Sequence, residues 1–185
     1  MDLDFRMHAE RTPNPNSVKW VLGHALVEGG AGAHFDEPVA AQVSPLAARL
    51  FAVDGVLGVF VAGNFVTVTK TEDMAWSDLA QDVVDAIKAH VNADDPTFGP
   101  DYQPQTAGPE GGLADRIRTI LETEVRPAVA QDGGDIIFAG YRDGVVEVYL
   151  QGSCAGCPSS TMTLKMGIEE RLRQEMPEIR EVVAL

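Results

Sequence analysis

Residues 132 to 160 read D-G-G-D-I-I-F-A-G-Y-R-D-G-V-V-E-V-Y-L-Q-G-S-C-A-G-C-P-S-S, and the order of signals in this stretch fixes how the chain around it must fold. Ile136 to Tyr141 and Val145 to Leu150 carry many β-branched and aromatic residues and flank Asp143-Gly144, the dipeptide that most readily supplies the two positive φ angles of a tight hairpin turn. The hairpin runs into a glycine-flanked loop holding Cys154 and Cys157, and Pro158 is placed to open a helix, since its fixed φ suits the first helical position. Leu164, Ile168 and Leu172 share one face of that helix, Pro177 stops it, and Ile179 to Ala184 offers a last strand.

Upstream, Leu113, Ile117, Ile120, Leu121 and Val125 mark an amphipathic helix, which Pro127 and the paired glycines of D-G-G-D bend or end. The C-terminal order is therefore helix, strand, strand, helix, strand. Asp132 and Asp135 read as turn residues beside the glycines. Between Asn92 and Gly112, four prolines and four glycines break both helical and strand periodicity, which predicts a flexible linker over 92–112. It separates a domain at 1–91 from a domain at 113–185, each near the lower size at which a domain stands alone.

In the first domain, Phe5 to Glu10 and Ser17 to Leu22 form two strands joined by R-T-P-N-P-N, a rigid turn by its composition. Ser44-Pro45 caps a short helix through Leu46, Arg49 and Leu50. Val56 to Ala62 and Phe65 to Lys70 pair across Gly63-Asn64, and Trp76, Leu79, Val83 and Ile87 recur at helical spacing. The expected class is α+β: two small domains, each a small β-sheet packed with two helices.

The chemistry centres on Cys154 and Cys157. Backbone N–H groups and the dipole at a helix N-terminus favour anions, so thiols here ionise more readily than an isolated cysteine. Gly152 and Gly156 let the backbone fold tightly around whatever the sulfurs hold, and Ser153, Ser159 and Ser160 supply caps or donors to sulfur. A loop this open is a poor place to hide a thiol. Three uses compete: an iron–sulfur site, a zinc site and a thioredoxin-like dithiol redox site. Zinc and the common iron–sulfur clusters take four protein ligands, whereas the chain has two cysteines, and His8, His24, His34 and His90 all precede the linker. A complete all-cysteine site needs two chains, each giving Cys154 and Cys157 at a symmetry axis. The redox reading ranks last, because no βαβ unit precedes the motif.

Composition narrows the partners. The formal net charge is −14, with six basic against fourteen acidic residues before Pro100 and eight against fourteen after it, a field that repels phosphate backbones and argues against nucleic acid. No run reaches the ~18 apolar residues of a membrane helix, and the acidic start M-D-L-D-F-R-M-H is neither a secretory signal nor a transit peptide. A cytoplasmic address is expected, or the mitochondrial matrix if a leader was removed. The histidines are packed or surface residues rather than ligands. Trp20 and Trp76 fit core positions, and no phosphate-binding glycine loop suggests ATP use.

The segment G-S-C-A-G-C-P-S-S-T-M-T-L-K-M-G-I-E at 152 to 169, with D-G-G-D at 132 to 135, resembles the C-terminal domain of NifU as found in Nfu-type iron–sulfur proteins. T-P-N-P-N-S-V-K-W at 12 to 20, S-P-L-A at 44 to 47 and F-V-T-V-T-K at 65 to 70 resemble the N-terminal domain that accompanies it. The resemblance implies a scaffold or carrier, not an enzyme, that assembles a 4Fe–4S cluster between two protomers, with a 2Fe–2S form also open to it. Its two ligand positions map onto Cys154 and Cys157. It further implies apo iron–sulfur proteins as recipients, upstream assembly proteins as donors, and a homodimer when loaded; without metal the pair loses its principal link, so the empty chain is expected to be mostly monomeric.

Overall fold

A computed structural model describes residues 6–28, 32–105, 108, 111–156 and 158–185, and of 158–160 the backbone only. The chain divides into two compact units, Met1–Gln105 and Thr106–Leu185, and both are α+β as expected. No helix among the described residues is long and apolar enough to cross a membrane.

The first unit is built on strands β1 (Met7–Arg11), β2 (Ser17–Leu22), β3 (Ala33–Phe35), β4 (Val56–Ala62) and β5 (Phe65–Lys70) and on helices α1 (Pro45–Phe51) and α2 (Trp76–Ala93). The strands form one antiparallel sheet in the order β1-β2-β5-β4-β3. Trp20, Leu22, Val59, Val61, Val66 and Val68 join Leu46 and Leu50 of α1 and Leu79, Val83 and Ile87 of α2 in one core. Ser44 caps α1 by accepting from the Ala47 N–H at 3.2 Å. The T-P-N-P-N turn holds itself: the Thr12 hydroxyl donates to the Asn14 carbonyl at 2.9 Å and the Asn16 N–H donates to Asn14 Oδ1 at 2.9 Å. Lys70 Nζ anchors the turn through Asn16 Oδ1 at 3.0 Å. Phe5, the expected start of β1, lies outside the described residues, and β3 is an element that three residues of A-H-F give no period to reveal.

The segment expected to be a flexible linker from 92 needs correction over its first half. Asn92 and Ala93 belong to α2, and the chain beyond is docked on the first unit. Gly99 N–H donates to the Val43 carbonyl and Asp101 N–H to the Gln42 carbonyl, Ser44 Oγ donates to the Thr97 carbonyl at 2.7 Å, and Phe98 stacks on Tyr102 at 4.1 Å between centroids. Prolines and glycines do exclude helix and strand here. They do not exclude packing, which the two aromatics provide against the core.

The second unit runs α3 (Leu113–Ile120), a π-helical turn (Leu121–Val125), α4 (Arg126–Gln131), β6 (Gly134–Arg142), β7 (Val145–Gly152), α5 (Pro158–Glu175) and β8 (Glu181–Ala184). Strands β6 and β7 pair antiparallel across Asp143 and Gly144, whose φ angles are 49° and 83°, and β8 pairs parallel to β7 after the α5 crossover. The π turn has two causes. Pro127 lacks an N–H and its ring crowds the carbonyl of Thr123. In addition, Ile117, Leu121, Val125 and Val129 are all buried at intervals of four, and a regular α-helix drifts about 40° per four residues. The wider turn keeps all four facing the sheet.

Candidate thiol site

Strand β7 ends at Gly152 and α5 begins at Pro158, so the turn between them is short and tightly specified. Gly152 and Gly156 adopt φ of 64° and 74°, a region open to glycine at no steric cost. The Ala155 N–H closes the turn on the Gly152 carbonyl at 3.1 Å, and the Thr161 hydroxyl in the first turns of α5 donates to the Cys154 carbonyl at 3.0 Å.

Contrary to the sequence expectation, Cys154 is hidden. Its residue is 6% exposed and belongs to the apolar core of the unit. The recess is made by a missing side chain: a Cβ placed on Gly134, the first residue of β6, would stand 2.7 Å from Cys154 Sγ, 2.8 Å from the Gln151 carbonyl oxygen and 3.3 Å from Val129 Cγ1. Gly134 pairs with Gly152 across the hairpin. Two glycines facing each other thus let the sulfur fold back over the sheet. Cys157, and the side chains of Ser159 and Ser160, lie outside the described residues.

The D-G-G-D corner is the other wall of the site. The Ser153 hydroxyl donates to the Asp132 carbonyl at 2.5 Å, and the Ser153 N–H donates to the Gly133 carbonyl at 3.1 Å. Since that hydroxyl proton is committed, the 4.0 Å contact between Ser153 Oγ and Cys154 Sγ leaves the thiol as donor. Asp135 is not a turn residue but a strand residue in a buried fork: Arg126 Nε donates to Oδ1 at 2.8 Å and Nη2 to Oδ2 at 2.7 Å, while the Ile136 N–H also donates to Oδ1 at 2.8 Å. The fork raises the Arg126 pKa above its usual value, chiefly through those hydrogen bonds. It ties α4 to the start of β6, and so fixes the residue against which Cys154 rests. Arg126 and Gly134 carried no signal of this in the sequence, because a bidentate pair nine residues apart depends on a helix-to-strand reversal that spacing does not reveal.

The histidines do not gather. His8 is exposed beside Glu10 at 3.0 Å, His34 is held at a lowered pKa by burial, and His24 and His90 line a cavity of about 620 Å³ in the first unit. Among the described residues no three potential ligand side chains come together. The only sequence-expected donor placed by the described residues in a shaped recess is Cys154.

A hairpin, a glycine-flanked turn holding Cys154 and a crossover helix on a small mixed sheet, preceded by a separate antiparallel α+β unit, make this a two-unit α+β protein. Residues 117–183 match the family model of the NifU-like domain, and residues 7–94 match that of the scaffold protein Nfu/NifU N terminal. The human protein named NFU1 iron-sulfur cluster scaffold homolog, mitochondrial, is 39% identical over 95% of this chain and 70% of its own length. The Arabidopsis thaliana NifU-like protein 5, mitochondrial, is 38% identical over 95% of this chain and 66% of its own. The solution structure of a NifU-like protein from Saccharomyces cerevisiae aligns with a TM-score of 0.45 at 16% identity, covering 52% of this chain and 87% of that one. The chain belongs to the Nfu family, with the N-terminal and NifU-like domains in that order. It spans about two thirds of the length of these curated relatives.

Proposed function

We propose that this protein is an iron–sulfur cluster scaffold and carrier whose cargo is a 4Fe–4S cluster held between two copies by Cys154 and Cys157 of each. The observation that supports the reading is the turn that follows β7: it holds Cys154 between the glycine pivots Gly152 and Gly156, and in the sequence Cys157 stands immediately before the 18-residue helix α5. Two thiolates complete no coordination sphere, and two copies complete one. In the described conformation the Cys154 sulfur faces the recess over Gly134, so loading requires residues 153–156 to turn outward about Gly152 and Gly156.

The protein then acts as a binding protein, not an enzyme. Recipient thiolates displace its own one at a time, and the N-terminus of α5 favours the anionic sulfurs that the exchange leaves behind. The first unit raises the effective concentration of recipients by holding them near the cluster domain. Upstream assembly proteins supply iron and sulfide, and both bacterial cytoplasm and mitochondrial matrix are compatible addresses. The relatives named above are mitochondrial by name.

Anaerobic reconstitution with iron and sulfide tests the reading. The expected product holds about four iron atoms per dimer with broad visible absorbance, and Cys154→Ala abolishes it. A colourless product that instead reduces insulin disulfides would establish the dithiol oxidoreductase. A colourless product with stoichiometric zinc by elemental analysis would establish a zinc-linked dimer.

A further inference from the structure

The turn that carries Cys154 is held inward from two sides. On the sheet side Ser153 is 1% exposed, its hydroxyl donates to the Asp132 carbonyl at 2.5 Å, and its N–H donates to the Gly133 carbonyl at 3.1 Å. On the helix side the Thr161 hydroxyl donates to the carbonyl of Cys154 itself at 3.0 Å. The corner that accepts from Ser153 is stiff. The N–H groups of Asp132 and Gly133 close the end of α4 on the carbonyls of Val129 and Ala130, at 3.1 Å each, and the Arg126–Asp135 fork ties the far side of the corner back to α4.

We propose that Ser153 is the positioning residue that sets how tightly the chain keeps its cargo: it latches the thiol turn inward, and Thr161 is a second catch on the same state. The inference rests on the scaffold reading and names what limits loading. In this state Cys154 is shut in the recess over Gly134, and residues 153–156 must leave it for the sulfur to reach iron. Gly152 and Gly156, at φ of 64° and 74°, leave the backbone free to swing, so hydrogen bonds and not steric bulk set the balance. A cluster that binds only the outward turn is held more weakly by the fraction of chains whose turn is outward. Each bond that favours the inward turn therefore lowers the apparent affinity by its own factor. Delivery gains from this. When a recipient thiolate takes the place of Cys154 on iron, the freed thiolate takes a proton from water, and the latch withdraws the thiol from competition.

The test reads the empty and the loaded chain separately. In a Cys157→Ala background, labelling of Cys154 by a thiol reagent reports the outward fraction of the empty chain. Ser153→Ala and Thr161→Val should each speed it about fivefold, the factor one buried hydrogen bond is worth. Thr161→Ser, which keeps the hydroxyl, should label at the rate of its parent. With both cysteines present, and iron and sulfide supplied anaerobically, Ser153→Ala and Thr161→Val should hold iron more tightly and need about fivefold more chelator for half loss. The pairing of the two readouts is decisive, because a variant that is merely damaged labels faster and holds iron less. Unchanged labelling in Ser153→Ala, or faster labelling with looser iron, would overturn the proposal. A wild type that takes up no iron would sink the scaffold reading and the retention role with it. That outcome is distinct from failure of the latch alone, in which the wild type loads and Ser153→Ala matches it in both readouts.

Discussion

Gly134 is the residue on which the position of Cys154 depends. Alanine there puts a carbon 2.7 Å from the sulfur and 2.8 Å from a backbone carbonyl oxygen, and only the turn holding the sulfur can yield. Gly134→Ala should cost about 1–3 kcal/mol by urea unfolding, and in a Cys157→Ala background should speed labelling of Cys154 by a thiol reagent; unchanged labelling would mean the sulfur is not held by this recess. Arg126→Ala should cost about 2 kcal/mol, less than a fully buried pair, because Arg126 is 30% exposed while its partner Asp135 is 8% exposed. In the first unit, burial holds His34 and His90 below the usual pKa of a histidine, and the Arg49 charge adds to the effect at His90. The unfolded chain therefore takes up protons below about pH 6.5 that the folded chain refuses. Stability should fall as pH drops from 7 to 5.5, before the carboxylates titrate. A flat urea midpoint over that range would contradict the burial. At this scale the sequence singled out the two cysteines but not the setting of Cys154. C-x-x-C declares itself by spacing, whereas a recess made by an absent Cβ is visible only once β6 and β7 pair.

Among the elements, the π turn makes a sharp prediction. Deleting the exposed Glu122 would return the helix to regular winding and rotate Ile117 and Leu121 by about 100° relative to Val125 and Val129. The loss should be at least about 3 kcal/mol, the scale of emptying a core position, measured by denaturation. The docked segment after α2 can be tested by Gly99→Ala, whose added carbon would meet the Gln42 carbonyl oxygen at 2.1 Å. Proteolysis within 94–105 should accelerate several-fold as the strap lifts. Most elements were legible in the sequence because their signals are local: Ser44-Pro45 before α1, Asp143-Gly144 between β6 and β7, the stripe of Leu79, Val83 and Ile87 in α2. Those missed depend on distant partners. Strand β3 exists because β4 offers it an edge, and the order of Phe98 and Tyr102 comes from the core they rest on.

For the whole molecule, the charge of −14 opposes any meeting of two copies. Raising ionic strength from about 0.01 M to 0.1 M shortens the screening length from about 30 Å to about 10 Å, which should tighten the proposed cluster-loaded dimer several-fold in sedimentation. Loosening instead would mean that opposite charges hold the copies together. The two-unit division reflects the same economy of size: each half has a core of its own, so damage to one need not unfold the other. The recess behind Cys154 also bears on the life of the molecule between deliveries. If the chain is the carrier proposed above, then after handing over its load it meets peroxides and stray disulfides, and the Cys154 sulfur, buried in its recess, offers them little to attack. Such a recess would keep this thiol fit for reuse.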